Sequence, residues 1–574
     1  MALQSIASKE LKTRKKSIPS EFLKKLKTIR EKHTPLHVVE FEIGVTTFQE
    51  WKILSIDEHL RVIRNTVVGE LFKRYKQMIR TKEYKQTLKK YRIVIDSINK
   101  TKDKKKLTKL EKEKKILQKK FEELRNTYSV TFEFARKYGE MLRNTKYSLP
   151  DAVTVLSVCE MAWKSMERIL FGDAEKPNYY KRGEFITIQG KQAERCIILK
   201  HNEKENTFHI SHKGMSFPLL IKPHDLFQEE TLSHIKYYMK NGESIDKENV
   251  ERHEKGQSIV STYRIRNNRI VRKEIRGTYR YFIQITLEGL PAVKRKKDGS
   301  FRHTYGTGRI GGDIGTQSLA IASKQVVELK NLAERSENTF AYERKIYLLQ
   351  RYLDRSRRAM NPNNYNSDGT IRRGKKQWFY SNRYKKSRKQ LRNSHRKAAA
   401  SRKYAHNEEV NYLRSIGDEF ILEKTNVKAW QKKAKEVKIN EKTGKFQRRK
   451  RSGKSVLNRS PGYLIQQAKY RFSTTGGTVK EVNTWTFKAS QYDHVLDGTS
   501  KKSLSKRWHI LPCGTKIQRD LYSAFLLFCT KIDLQQPDKE MCDSSFSEFL
   551  ALHNLCIQDI QTNRKVVLNS GIRF

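Results

Sequence analysis

Three carboxylates stand where backbone elements begin or end, the places from which an acid can reach a substrate. Asp313 lies in RIGGDIGTQSLAIAS, where an apolar strand delivers the acid, Gly315 permits a tight turn and LAIAS returns as the next strand. Glu423 ends the apolar strand EFILEKTN, so its side chain emerges at a strand edge. Asp520 stands in QRDLYSAFLLF, at the head of a helix whose Leu521, Ala524, Phe525 and Phe528 bury it against a sheet. Hard oxygen ligands from separate elements suit Mg²⁺, which keeps water and phosphate oxygens in its shell and takes few carboxylates. Two such ions ~4 Å apart can activate a water and stabilise the leaving 3′ oxygen during in-line attack on a phosphodiester. Any one of these acids alone reads more often as a turn former or an N-cap, and only the three in this order point to chemistry. Arg519, beside Asp520, reads equally as a contact to the scissile phosphate and as an ordinary surface pair.

The surrounding chain is long and basic. Its 574 residues exceed what one hydrophobic core supports and suggest three or four units. Lys plus Arg number 120 against 62 Asp plus Glu, a net charge of +58 that repels itself unless a polyanion neutralises it, and nucleic acid is the obvious one. A hydrophobic content of 36%, with 25 Phe and 26 Tyr, excludes wholesale disorder. There is no run of eighteen apolar residues, and MALQSIASKELKTRKK has no apolar signal region. A cytoplasmic, prokaryotic, nucleoid-associated protein without a membrane partner is expected. The six cysteines form no C-x-x-C pair, which argues against a disulfide framework and an ordinary four-thiolate zinc site.

The elements that must position the acids read as a multidomain α+β chain. HVVEFEIGV (37–45) alternates like a strand. Leu60, Ile63, Val67, Leu71, Tyr75 and Met78 make one helical stripe, and Leu110, Leu117 and Leu124 recur at sevenfold spacing in a long helix expected over 104–146. Between 173 and 304 the chain reads as short strands, which favour a small barrel into which the first strand pairs with the helices as an insertion. From 305 a hairpin, a long basic helical region at 338–415, the strand FILEK and mixed elements predict an α/β domain. Residues 355–403 hold 17 Lys or Arg against the single acid Asp368, interleaved with Trp378, Phe379, Tyr380 and Tyr384. Phosphate contact from Lys375, Arg383, Arg388 and Arg392 outweighs a merely solvated face there. The aromatics could stack on bases, worth ~1–3 kcal/mol each, but at helical spacing core positions are at least as common. His395 and His406 read as solvated residues rather than general bases. Residues 432–460 read as a mobile loop that nucleic acid orders.

An acid on a first strand with a glycine-turn hairpin, an acid at a later strand end and an acid on a terminal helix is the arrangement of the RNase H-like fold, in its RuvC branch. The run from about 309 to 530 resembles TnpB, the RNA-guided nuclease of insertion sequences and relative of type V CRISPR effectors. The matching words are GGDIGTQSLAIAS, FILEKTNVKAWQ, SPGYLIQQAKYRFSTTGGTVKEVNTWTFKASQY, LSKRWH and QRDLYSAFL. The first three hundred residues match that family only in layout. The resemblance implies an N-terminal segment with the first wedge strand (1–56), a helical recognition domain (57–178), a wedge β-barrel (179–304) and a RuvC domain (305–490 and 517–574). It places catalysis and Mg²⁺ binding on Asp313, Glu423 and Asp520. It implies a guide RNA from a transposon end or a CRISPR array, and a double-stranded DNA target beside a short motif, for which Asn65, Lys73, Lys76 and Gln77 are candidate readers. The family's zinc ribbon aligns with 491–516, where its four cysteine positions hold Asp493, Leu496, Ile510 and Cys513. One thiolate cannot hold a structural zinc, so no zinc is expected and Leu496 and Ile510 should substitute apolar contact for metal bonds, with a makeshift site from Asp493, His494, His509 and Cys513 the minor alternative. A guided repressor that does not cut, or a transposase, are the competing functions.

Overall fold

The computed structural model describes residues 20–33, 35–101, 103–172, 174–191, 193, 195–260, 262–333, 339–430, 453–500, 503 and 506–573. The loop expected over 432–460 lies outside these as far as residue 452. The chain is a mixed α/β protein of two compact units, Met1–Val293 and Lys294–Phe574.

In the first unit, α1 (Ser20–His33) precedes β1 (Leu36–Ile43). Helix α2 (Thr47–Arg80) starts ten residues before the expected boundary at 57, because Thr46 and Gln49 form a capping box. Leu60, Ile63, Val67, Leu71 and Met78 of its stripe are buried. Helices α3 (Lys82–Lys100) and α4 (Lys104–Thr127) pack through Tyr84 and Tyr91 edge-on to Phe121. The single helix expected over 104–146 is broken. Ser129 takes a left-handed φ of 53°, and the Thr131 hydroxyl caps a new helix, α5 (Phe132–Thr145), by accepting from Phe134 N. Helix α6 (Ala152–Leu170) packs on α2 and α5.

Six further strands follow: β2 (Ile188–Gly190), β3 (Ile198–Asn202), β4 (Thr207–His212), β5 (Met215–Leu220), β6 (Ile265–Ile275) and β7 (Thr278–Glu288). With β1 they form a seven-stranded antiparallel sheet of order β2-β6-β7-β1-β5-β4-β3. β1 sits between β7 and β5, its Val39 opposite Ile285 and its Phe41 opposite Ile283, although five helices separate it from the other strands in sequence. Among the described residues no ladder joins edge strands β2 and β3, so the sheet is open rather than a hydrogen-bonded barrel. The Asn268 side chain of β6, the strand next to edge β2, donates to Ile197 O just ahead of β3 at 2.9 Å. A second correction is α7 (Leu226–Glu254), a helix of 29 residues where the sequence suggested only strands and connections.

The second unit contains β8 (Arg309–Ile314), β9 (Ser318–Ser323) and β10 (Val327–Asn331). Then come α8 (Thr339–Met360) and α9 (Asn382–Ile416), which split the basic helical region in two, and β11 (Glu419–Glu423). Short helices α10 (Val427–Trp430) and α11 (Gly453–Arg459) precede α12 (Pro461–Thr474), β12 (Thr478–Val482) and α13 (Thr484–Phe487). Two small hairpins follow, β13 (Tyr492–Asp493) with β14 (Gly498–Thr499) and β15 (Trp508–Ile510) with β16 (Lys516–Gln518). Helices α14 (Arg519–Phe528) and α15 (Lys539–Thr562) end the order. The sheet runs β10-β9-β8-β11-β12, with β8, β9 and β10 antiparallel and β8, β11 and β12 parallel. Both faces are buried, as alternation along β11 requires: Phe420 and Leu422 pack with Leu464 and Phe472 of α12, while Ile421 faces Leu521 and Phe525 of α14.

Candidate active site

β8 and β11 run parallel with Gly312 opposite Leu422, so Asp313 and Glu423 leave the same end of the sheet on neighbouring strands. Asp520 reaches that end from α14. Gly311 allows this, since a β-carbon there would overlap Ala524 O and Phe528 N and stand 2.9 Å from Leu527 C. The Arg309 guanidinium donates to Thr530 O at 2.7 Å, fixing the helix C-terminus over the strand's start and its first turn over the strand's end. Small Ala320 and Ala322 on β9 give α14 room on the same face.

Asp313, Glu423 and Asp520 thus line one cleft of about 570 Å³, together with Lys424, Asn426, Arg507 and Arg519. Burial pushes the Asp313 carboxyl well above its ordinary range, and the nearby charges of Asp520 and Glu423 push it further, against the pull of Arg519 and Arg507. Burial also raises Glu423, opposed by a hydrogen bond from the backbone at Ala489. Asp520 Oδ1 accepts from Arg519 Nε and Nη2 at 3.3 and 3.2 Å, while Arg519 Nη1 donates to Lys506 O at 3.2 Å. Crowded carboxylates are a donor set suited to a hard divalent cation. Arg507 is the residue that sequence reasoning overlooked. It stands within the word LSKRWH, but nothing in its local pattern marks it as facing Asp313.

The other candidates separate. Lys375, Arg383, Arg388 and Arg392 are exposed on α9 and the segment before it. Phe379 is 61% exposed, whereas Tyr384 is buried and stacks on Tyr380 at 4.5 Å, and Trp378 meets Tyr365 edge-on at 5.9 Å. His395 is exposed, but His406 is 1% exposed and its Nε2 contacts Arg459 O at 2.6 Å, so the expectation of a solvated His406 fails. Lys73 and Gln77 are exposed on α2, and Lys76 Nζ lies 4.6 Å above the Phe72 ring. Asn65 is instead consumed internally, its amide donating to Tyr180 O at 2.8 Å and accepting from Tyr180 N at 3.1 Å.

The ribbon region also differs from expectation. Leu496 and Ile510 are 67% and 60% exposed, so no apolar contact between them replaces a metal. Polar contacts hold these hairpins: His509 Nε2 lies 3.0 Å from Asp493 Oδ2, His509 stacks on Tyr522 at 4.9 Å, and His494 Nδ1 lies 2.6 Å from the Tyr522 hydroxyl. Cys513 is exposed and bonds Thr515 instead. No described helix is long and apolar enough to cross a membrane.

No family model and no curated protein matches the chain. Among solved structures, it is distantly similar to Cas12i, a type V CRISPR effector. A cryo-EM structure of a Cas12i–crRNA–dsDNA complex aligns at 9% identity and a TM-score of 0.23, and covers 77% of this chain and 57% of that one. A crystal structure of a Cas12i1 R-loop complex before target DNA cleavage aligns at 9% identity and a TM-score of 0.21, with the same coverages of 77% and 57%. The chain therefore spans less than two thirds of the length of those effectors. Likeness at this level fixes neither fold nor activity, and the resemblance to TnpB rests on the words quoted above.

Proposed function

We propose that the chain is an RNA-guided DNA endonuclease that hydrolyses phosphodiester bonds at the cleft lined by Asp313, Glu423 and Asp520. The observation that carries this reading is the convergence of three acids, from the first strand, its parallel neighbour and a terminal helix, in one cleft. That convergence supports an RNase H-like, RuvC-type assignment. Asp313, Glu423 and Asp520 would hold Mg²⁺, two ions in this reading, and the metal when bound supplies water activation and stabilisation of the leaving 3′ oxygen. Arg519 orients Asp520 through its paired nitrogens, and Arg507 offers positive charge at the cleft to a substrate phosphate.

The partners in this reading are a guide RNA and a double-stranded DNA target beside a short motif. The net charge of +58 and the exposed cations of α9 suit sequence-blind phosphate contact, with base pairing supplying sequence choice. The test is to purify the full chain, sequence any bound RNA, and assay Mg²⁺-dependent cleavage of a duplex matching it. A discrete RNA species and cleavage lost in Asp313→Ala, Glu423→Ala and Asp520→Ala are expected. Absence of bound RNA, or cleavage that survives all three substitutions, overturns the reading. Guided binding without cutting points to a repressor, and joined donor and target ends to a transposase.

A further inference from the structure

Asp151, Cys196 and His212 belong to three separate pieces of the first unit: the residue before α6, the chain just ahead of β3, and the last residue of β4. Cys196 Sγ lies 3.4 Å from Asp151 Oδ2 and 3.8 Å from His212 Nδ1, and that Nδ1 lies 3.7 Å from the same Oδ2. Three ligands on one tetrahedral zinc, with Zn–S ~2.3 Å and Zn–N or Zn–O ~2.0–2.1 Å, stand ~3.3–3.6 Å apart. The triangle is nearly that size. Among the described residues, no other trio of His, Cys and acid side chains brings its ligand atoms within 4.8 Å.

Asp151 shows independently that its carboxylate is drawn into this cluster. It occupies the N-cap of α6 yet makes no capping bond, whereas Asp103, Asp225 and Asp538 at the same position of α4, α7 and α15 each accept from their own helix. Its Oδ2 faces the thiol and imidazole, and its Oδ1 lies 3.6 Å from Lys213 Nζ. Cys196 and His212 are 6% and 1% exposed, and His212 Nε2 is buried without a hydrogen-bond partner.

We propose that Asp151 Oδ2, Cys196 Sγ and His212 Nδ1 form a site for a zinc-like divalent ion that fastens the start of α6 to the β3–β4 edge of the sheet. Mixed sulfur, nitrogen and oxygen donors favour zinc over magnesium or calcium. Binding releases the thiol proton to solvent and moves the ring proton from Nδ1 to Nε2, so the bond Nδ1 now makes to Cys196 O at 3.1 Å is given up. Thiolate, carboxylate and dication then sum to zero charge. The fourth ligand is a water from the adjoining cleft of about 330 Å³ lined by Asp151, Arg143 and Lys213.

The test uses the full chain, stripped with chelator and titrated with Zn²⁺ and with Co²⁺. One equivalent of zinc that is lost in Cys196→Ser is expected, as is a cobalt spectrum with tetrahedral visible bands and a thiolate charge-transfer band in the near ultraviolet. Cys196→Ser should abolish that band, while Cys513→Ser and Asp313→Ala should leave it. Asp151→Asn, at the more exposed ligand and least able to disturb folding, should weaken zinc binding by at least the ~10-fold that losing even an outer-sphere partner produces. Failure of the folded wild-type chain to bind either ion stoichiometrically, a band that survives Cys196→Ser, or unchanged affinity in Asp151→Asn overturns the proposal.

Discussion

Replacing Gly311 by alanine should disable cleavage without touching a single acid. The added β-carbon would stand 2.9 Å from Leu527 C, and closer still to Ala524 O and Phe528 N, where carbon atoms rest at ~3.5 Å or more. The obstacles are main-chain atoms, so no rotamer change relieves them, and α14 must retreat by more than ~0.6 Å. Asp520 lies one turn ahead of Ala524 and moves with the helix. Overpacking of this kind costs ~1–3 kcal/mol, and the upper end applies because backbone must move. A misplacement approaching 1 Å can cost ~10²-fold in rate. Cleavage under single-turnover conditions and urea unfolding of the same preparation measure the two effects. Gly498→Ala is the control, since its β-carbon meets nothing nearer than Leu496 O at 3.6 Å. Gly311→Ala cutting at the wild-type rate with an unchanged unfolding midpoint would refute the claim that close approach of α14 sets the site.

Removing the crowded charge by Asp313→Asn should raise the melting temperature of the metal-free chain while abolishing cleavage and the stabilisation that Mg²⁺ gives the wild type; calorimetry with and without the ion checks this. Asp57, 5% exposed and accepting from Ile186 N at 2.7 Å, has its carboxyl pushed up to about 7 by burial. Its folded-state affinity for a proton exceeds that of the unfolded chain, so its contribution is full below the ordinary carboxyl range and is lost as pH rises towards 7. The loss amounts to roughly 4 kcal/mol at 1.36 kcal/mol per pH unit. The stability difference between wild type and Asp57→Asn should change by about that amount between pH 4 and 7 and be flat above, and a pH-independent difference contradicts it. In the ribbon region, Leu496→Ser should change stability by less than ~0.5 kcal/mol, whereas Asp493→Ala, which strips buried His509 of its carboxylate partner, should cost ~1–3 kcal/mol on denaturant titration. Charge reversal at exposed Arg388 and Lys389 should weaken RNA binding and flatten its log–log salt dependence by ~0.7–0.9 per lost phosphate contact, read by filter binding at several salt concentrations.

Local patterns made β8, β9, β11 and α14 readable, because apolar strand or helix residues mark all four and an acid stands near one end of β8, β11 and α14. The same logic recovers the buried stripe of α2 but misplaces its start, since exposed Phe48 and Trp51 disguise a first turn that Thr46 and Gln49 spell out as a capping box. Helix α7 was illegible for the opposite reason: its buried residues Leu232, Ile235, Ile245 and Val250 are sparse in a polar stretch, and packing rather than periodicity holds it. The break at Ser129 is a single left-handed residue, invisible to a heptad count. What holds the ribbon region depends on His494 and His509 meeting Tyr522 of α14, a partner outside the segment that no spacing within it announces. Arg507 escaped for the same reason.

The antiparallel run of α14 along β8 bears on how the molecule is made. Translation must continue for roughly 200 residues beyond Asp313 before Asp520 exists, and at ~5–20 residues per second that interval is tens of seconds. Throughout it, the growing polypeptide carries an unfinished acidic pair and a strand face covered by nothing. In the nuclease reading, a growing chain that has not yet reached Asp520 is therefore incapable of cutting the gene beside it, and competence waits for α14 to dock.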